Sequence, residues 1–127
     1  MKKVLFVCLG NICRSPLAEG LFLKKLEEND LTDKFSVDSC GSGAWHIGER
    51  PDPRTLENAK KNGVYLPSLA RQLNENDLEE FDYILVMDRS NMSNVLEIAL
   101  PSQVSKVRLM RDFDSQAPGS DVPDPYF

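Results

Sequence analysis

The feature that most restricts the fold of this chain is a short segment near its start, residues 8–16, with the sequence CLGNICRSP. An apolar run, residues 4–7, precedes it and is typical of a buried strand, because it is short, continuous and rich in β-branched and aromatic side chains. Apolar residues then recur at helical spacing from Pro16 to Leu26, and proline suits the first turn of a helix. The segment therefore predicts a strand, a tight loop and a helix N-terminus in direct succession.

This loop has the residue types of an oxyanion-binding site. Backbone N–H groups in a tight loop and the dipole of the following helix both favour a tetrahedral anion. Arg14 can hold two phosphate oxygens with its planar guanidinium, and Cys8 in the same positive field is expected to be a thiolate and a nucleophile. The pattern predicts phosphoryl transfer. The predicted phosphate-binding residues are Leu9, Gly10, Asn11, Ile12, Cys13, Arg14 and Ser15.

Length, charge and cysteine content restrict the function further. The chain has 127 residues, which is enough for one domain with its own core. A net charge of −5 disfavours nucleic-acid binding. Three cysteines, a single histidine and no Cys-x2-Cys pair argue against a disulfide scaffold and against a metal site. No apolar stretch is long enough to span a membrane and no signal-peptide pattern opens the chain, so a cytoplasmic location is expected.

Strand-like and helix-like segments alternate along the chain. This order predicts an α/β fold in which a doubly wound, four-stranded parallel sheet is flanked by helices, with the phosphate-binding loop after strand 1. Sites in such sheets lie beyond the carboxyl ends of the strands, so the loops after the four strands are expected to meet at one edge. The predicted strands are residues 3–7, 35–38, 83–87 and 106–110, and the predicted helices are about 15–29, 53–62 and 89–99.

Four segments together resemble the low-molecular-weight protein tyrosine phosphatases. The spacing Cys-x5-Arg-Ser is common to cysteine-based phosphatases, whereas the longer string at residues 7–16 is more specific to this family. Three further segments, residues 38–41, 81–88 and 122–126, follow in the family's order and approximate spacing. The resemblance covers the whole chain, and it implies hydrolysis of protein phosphotyrosine through a phosphocysteine intermediate, without a metal or another cofactor.

The resemblance and the residue types together predict individual roles. Cys8 attacks phosphorus, Arg14 binds the equatorial oxygens, and Asp124, in a loop stiffened by flanking prolines, is the general acid and then the base. Asn11 tolerates the left-handed backbone geometry that a tight anion loop requires. Ser15 is expected to donate to the Cys8 sulfur, and a plain helix cap is its alternative role.

Several other residues are predicted around this centre. Ser39 and Asp88 are expected to support it, with a turn residue and a helix cap as the equally weighted alternatives. Asp114 and Asp121 are weaker candidates for the general acid. The resemblance also implies that Cys13 traps oxidised Cys8 as a disulfide, while Cys40 is expected to be structural. The predicted contacts of the substrate ring are Ile12, Trp45 and Tyr126.

Three other functions are the alternatives to phosphotyrosine hydrolysis. A protein-arginine phosphatase of the same fold carries threonine where Ile12 stands, and an apolar side chain there suits a phenyl ring better. An arsenate reductase would need further cysteines near the third strand, and residues 83–94 contain none. A phosphate-binding or phospho-carrier module, from a different class, would need neither Arg14 nor Asp124.

The chain departs from the family pattern at two places. Family members commonly have a histidine before Ala70, where this chain has Ser68 and Leu69, so the network around Asn11 is expected to be connected differently. Members also continue beyond the position of Phe127 into a C-terminal helix that packs on the sheet. We therefore expect residues 1–127 to form one domain without that helix and to expose a sheet face that favours self-association.

Overall fold

The computed structural model describes residues 1–43 and 46–110 and contains a four-stranded parallel sheet. Its order is β2-β1-β3-β4, so the first strand of the chain lies inside the sheet and carries the loop that follows it to the middle of one edge. The elements are β1 (Lys2–Cys8), α1 (Arg14–Glu28), β2 (Phe35–Gly41), α2 (Pro53–Lys61), α3 (Glu75–Glu80), β3 (Tyr83–Val86), α4 (Arg89–Ile98), a 3₁₀ turn (Pro101–Lys106) and β4 (Val107–Leu109).

Helices cover both faces of the sheet. Successive side chains of β1 point to opposite faces, so Phe6 packs with Ala18 of α1, whereas Leu5 packs with Leu78 of α3 and Val95 of α4. The predicted fold class, a doubly wound parallel sheet flanked by helices, is confirmed. No helix among the described residues is both long and apolar enough to cross a membrane.

The α1 face also holds an apolar groove of about 500 Å³. Phe22 of α1 packs edge-on against Phe6 and Phe35, with ring centroids 5.9 and 5.7 Å away. The groove is lined by Val4, Phe6, Ala18, Leu21, Phe22, Lys25, Phe35, Tyr83, Leu85 and Met110.

The self-association that the sequence predicts for an exposed sheet face stays a prediction.

One local prediction was wrong, and one helix was missed. The second strand continues to Gly41 instead of ending at Asp38, so Ser39 is a strand residue and not a turn residue. Pairing with β1 extends this strand, because Ser39 lies opposite Phe6 in the parallel register. Helix α3 was not predicted, although its N-terminal capping box, formed by Asn74 and Asp77, is a recognisable sequence signal.

Candidate active site

The loop after β1 turns its carbonyl groups away from its centre. The Cys8 and Leu9 carbonyl groups accept from the Ser42 and Gly43 amides, both at 2.9 Å, and the Ile12 carbonyl accepts from the Asp52 amide at 2.7 Å. Helix α1 starts directly after the loop and adds the positive end of its dipole. An arrangement of this kind favours an anion at the loop centre.

The Cys8 sulfur is buried and has two polar neighbours. The Ser15 hydroxyl lies 3.0 Å from Sγ, and the Asn11 backbone N–H donates to Sγ at 3.3 Å. Both contacts can stabilise negative charge on sulfur. Ser15 does not cap the helix, because the N-cap residue of α1 is Cys13, which makes no side-chain cap bond.

Asn11 connects the loop to two other parts of the chain. Its backbone is left-handed, with φ at 58°, and its side chain is buried. The amide nitrogen donates to Ser15 Oγ at 2.8 Å and to Ser39 Oγ at 3.0 Å, while the amide oxygen accepts from the Arg71 backbone N–H at 3.0 Å. Both N–H groups and the oxygen of this side-chain amide therefore have hydrogen-bond partners inside the protein.

A buried carboxylate lies behind Asn11. Glu19 Oε1 accepts from Ser39 Oγ at 2.6 Å and from Ser68 Oγ at 2.5 Å, and the residue is only 4% exposed. Burial raises the pKa of this carboxyl above its ordinary value, against the opposing effect of the two hydroxyl bonds. Ser68 thus occupies the network around Asn11 at the place where the family resemblance led us to expect a histidine.

Arg71 anchors the segment that holds the Asn11 amide. Its guanidinium donates to both carboxylate oxygens of Asp77 at 3.0 Å and to Asp38 at 3.0 Å. Burial alone would lower the pKa of this guanidinium, but the bonds to Asp77 and the nearby negative groups raise it above its ordinary value. Arg71 therefore remains charged, and its backbone N–H is held at a fixed position.

Arg14 forms a partly buried ion pair at the start of α1. One guanidinium nitrogen donates to Asp88 Oδ2 at 2.8 Å, and the other oxygen of Asp88 accepts from the Asn91 backbone N–H at 2.8 Å. Asp88 therefore caps α4 and also pairs with Arg14, and its supporting role in the site stays a prediction.

The remaining cysteines are buried thiols. Cys13 clusters with Ile12 and Ala70, and no disulfide joins the cysteines. Burial raises the pKa of the Cys40 thiol well above its ordinary value, which agrees with the structural role expected for it. The redox role of Cys13 and the contact of Ile12 with a substrate ring stay predictions.

The structure brings together six of the predicted site residues: Cys8, Asn11, Arg14, Ser15, Ser39 and Asp88. Five others lie outside the described residues, and their roles stay predictions: Trp45, Asp114, Asp121, Asp124 and Tyr126.

Sequence reasoning missed several residues of the site. Glu19 follows Ser15 by one turn on the same face of α1, a spacing that could have marked it. Arg71 carried no such signal, because its partners Asn11 and Asp38 are distant in the sequence. Ser68 was noticed only as a departure from the family pattern, and its bond to Glu19 was not predicted. His46 also lies beside the loop, since a Cβ built on Gly10 would be 3.0 Å from the His46 ring.

A sequence model of the family described as "Low molecular weight phosphotyrosine protein phosphatase" matches residues 3–127. This chain belongs to that family. A member with this name from Schizosaccharomyces pombe is 49% identical over 126 residues, which is 98% of this chain and 81% of that protein.

Solved structures of related proteins have the same fold. A protein tyrosine phosphatase from Entamoeba histolytica, crystallised with Hepes in its active site, aligns with a TM-score of 0.95 at 38% identity over 100% of this chain and 81% of that chain. A Drosophila arginine phosphatase aligns with a TM-score of 0.91 at 35% identity over 100% of this chain and 82% of that chain. This fold thus occurs both in a protein named as a tyrosine phosphatase and in one named as an arginine phosphatase.

Proposed function

We propose that the chain hydrolyses phosphotyrosine in protein substrates, with Cys8 as nucleophile. The single observation that carries the proposal is the environment of the Cys8 sulfur. A hydroxyl at 3.0 Å and a backbone N–H at 3.3 Å are both next to it, at the base of a loop that leads into a helix N-terminus. Together with membership of the phosphotyrosine phosphatase family, this environment favours a sulfur nucleophile beside a bound phosphate.

In the first step the Cys8 thiolate attacks phosphorus in line with the leaving group. The S–P bond forms as the bond between phosphorus and the phenolic oxygen breaks, and Asp124 gives its proton to that oxygen. Arg14, oriented by Asp88, binds the phosphoryl oxygens as the geometry at phosphorus changes. The products are free tyrosine in the protein and phosphocysteine at Cys8.

In the second step water attacks the phosphorus of the phosphocysteine. Asp124, now a carboxylate, accepts a proton from that water as the new P–O bond forms and the S–P bond breaks. Phosphate leaves, and the thiolate of Cys8 is restored. The neighbouring Ser15 hydroxyl can donate to the departing sulfur, which makes it a better leaving group.

The test is hydrolysis of a phosphotyrosine peptide and of p-nitrophenyl phosphate in the presence of EDTA. We expect Cys8→Ser to abolish both activities, because an alcohol replaces the thiolate. Asp124→Ala should lower kcat on the peptide by roughly 100-fold, and less on p-nitrophenyl phosphate, whose leaving group needs no proton.

Asp121→Ala is the matched control for the general acid, because it removes a neighbouring carboxyl from the same segment. Its kcat on the peptide should stay close to that of the parent chain. Equal losses in the Asp121 and Asp124 variants would contradict the assignment of Asp124. Full activity of Cys8→Ser would exclude the phosphocysteine mechanism.

Two alternative functions have less support. The arginine phosphatase reading fits less well, because Ile12 provides no hydroxyl in the loop for a phosphoguanidinium group. A phospho-carrier would be indifferent to Asp124→Ala, so the same variant separates it from a hydrolase. A phosphoarginine peptide, assayed beside the phosphotyrosine peptide, tests the first alternative directly.

The proposed chemistry also favours a reducing compartment such as the cytoplasm. A catalytic thiolate must stay reduced, and Cys8, Cys13 and Cys40 form no disulfide. The proposed partner is a tyrosine-phosphorylated protein, which the positive loop would bind through its phosphate even though the chain as a whole is acidic.

A further inference from the structure

Three buried side chains connect Glu19 to the Cys8 sulfur, which makes a chain of five residues. Ser39 Oγ donates to Glu19 Oε1 at 2.6 Å. The Asn11 amide nitrogen donates to Ser39 Oγ at 3.0 Å and to Ser15 Oγ at 2.8 Å. Ser15 Oγ in turn lies 3.0 Å from Cys8 Sγ. No member is more than 4% exposed. We call this set the Glu19–Cys8 chain; its members are Glu19, Ser39, Asn11, Ser15 and Cys8.

The Glu19 carboxylate, at one end of the Glu19–Cys8 chain, determines the direction of the hydrogen bonds made by Ser39. An ionised Glu19 only accepts hydrogen bonds, so the single proton of the Ser39 hydroxyl must point toward it. Ser39 can then only accept from Asn11, which turns the amide nitrogen of Asn11 toward the two hydroxyl groups. Because Ser15 accepts from that nitrogen, its own proton is free to point to another acceptor. Two are in reach, the Cys8 sulfur at 3.0 Å and the Cys40 carbonyl oxygen at 3.4 Å, and the sulfur is the nearer.

A second fixed donor prevents the opposite arrangement. The Arg71 backbone N–H meets the Asn11 amide oxygen at 3.0 Å, so a flipped amide would face Arg71 with a donor. The Arg71 side chain is held by Asp77, which keeps this N–H in place. With Glu19 ionised, the carboxylate at one end and the Arg71 N–H at the other thus fix the Ser39 proton toward Glu19 and the Asn11 amide N–H groups toward Ser39 and Ser15.

We propose that Glu19 is a positioning residue, whose carboxylate orients the Glu19–Cys8 chain so that Ser15 donates its proton to the Cys8 sulfur. The inference rests on the proposed function for the importance of the Cys8 thiolate. Ser68, the second donor to Glu19 Oε1, holds the carboxylate but lies off the path to sulfur. The charged groups acting on Glu19 are Asp38 and Arg71, which have opposite effects on it.

Two effects of Glu19 on Cys8 have opposite signs, which makes the proposal testable. Its negative charge alone disfavours a thiolate nearby, whereas the oriented hydrogen bonds favour it. Glu19→Gln removes the charge and keeps an oxygen that accepts from Ser39. Glu19→Leu removes both the charge and the acceptor. The two variants therefore separate the electrostatic effect from the hydrogen-bond effect.

The experiment measures the rate of Cys8 alkylation by iodoacetamide against pH, with fragment mass spectrometry to distinguish Cys8 from Cys13. We expect Glu19→Leu to raise the midpoint of this profile by about one pH unit, and Glu19→Gln to leave it unchanged or lower it. Glu27→Leu, on an exposed part of the same helix, is the control and should not change the profile. Equal downward shifts in both Glu19 variants, or an unchanged profile in Glu19→Leu, would overturn the proposal.

Ser39→Ala keeps the test decisive even where Glu19→Leu fails to fold, since it removes one hydroxyl from the same path. We expect Ser39→Ala to raise the midpoint by a similar amount, and the double variant Glu19→Leu/Ser39→Ala to add no further shift. Additive shifts, or no shift in Ser39→Ala, would overturn the proposal. Alkylation needs no phosphorylated substrate, so this result is independent of whether the chain hydrolyses phosphotyrosine.

Discussion

Asp88 combines two interactions in one carboxylate, and substitutions can separate them. One oxygen accepts from Arg14 and the other caps α4 through the Asn91 amide. We expect Asp88→Asn to keep the cap, because asparagine is also a good N-cap, but to turn a donor toward Arg14. The affinity for phosphate should then fall about tenfold, equivalent to ~1.4 kcal/mol.

Asp88→Ala is the companion variant, since it removes the cap as well. Its free energy of unfolding in urea should be lower than that of Asp88→Asn by about 1 kcal/mol. Phosphate affinity is measured by competition with p-nitrophenyl phosphate. Unchanged phosphate affinity in Asp88→Asn would mean that Arg14 does not need this carboxylate for its orientation.

Residue spacing alone predicted individual site residues only where their partners are local, whereas Ser39 and Asp88, with distant partners, were predicted with the help of the family resemblance. Cys8, Arg14 and Ser15 belong to one loop, so their spacing alone placed them together. Glu19 accepts from the hydroxyl of Ser68, 49 positions away in the sequence. Asn11 accepts from the backbone N–H of Arg71, 60 positions away. Spacing along the chain contains no information about such contacts, which arise only when the sheet brings the segments together.

At the scale of elements, the end of β2 packs closely against the loop that follows β1. A Cβ on Gly41 would lie 2.8 Å from the Leu9 carbonyl oxygen and 3.2 Å from the Asn11 amide nitrogen, so Gly41→Ala must displace that loop. We expect the variant to lose at least tenfold in phosphate affinity, because the loop N–H groups move. Competition with p-nitrophenyl phosphate measures the loss.

Gly20→Ala is the matched control, because this glycine is equally crowded but lies on α1 behind the site. A Cβ there would overlap a methyl group of Leu66 and lie 2.9 Å from the Tyr65 carbonyl oxygen. Overpacking outweighs the better helix propensity of alanine, so we expect a net loss of about 1 kcal/mol in stability with phosphate affinity kept. Equal phosphate affinities in the two variants would contradict the proposed contact of β2 with the loop.

The elements themselves were largely predictable, and the failures have physical causes. β1, α1 and β3 have strong apolar patterns, so their type and position followed from sequence. The last residues of β2 have weak strand propensity of their own and are strand only because they pair with β1. Helix α3 has six residues and is too short for an apolar period to be visible.

For the molecule as a whole, the buried carboxyl of Glu19 makes stability depend on pH. Its pKa is raised in the folded state, chiefly by burial, above the ordinary value of 4.5. The folded state therefore binds this proton more tightly than the unfolded chain, and its contribution to stability is complete below pH 4.5 and lost as pH rises through the raised pKa.

We expect Glu19→Gln to gain in stability relative to the parent chain as the pH rises from about 4 to 8. Each tenfold difference in proton affinity between the two states contributes ~1.4 kcal/mol to this change. Urea unfolding at both pH values measures it, with the exposed Glu27→Gln as control. A stability difference between parent and Glu19→Gln that does not vary with pH would show that the carboxyl titrates alike in both states.

The interior position of β1 has a consequence for the way this protein is made. β1 pairs on one side with β2 and on the other with β3, whose first residue, Tyr83, comes late in the chain. A ribosome therefore releases Cys8 well before Tyr83, so the sheet on that side of β1 is completed late. Parallel pairings of such long range form slowly. The Cys8 thiol thus exists before the strand that comes to flank β1, so the nascent chain is the stage at which we expect this thiol to be most open to oxidation.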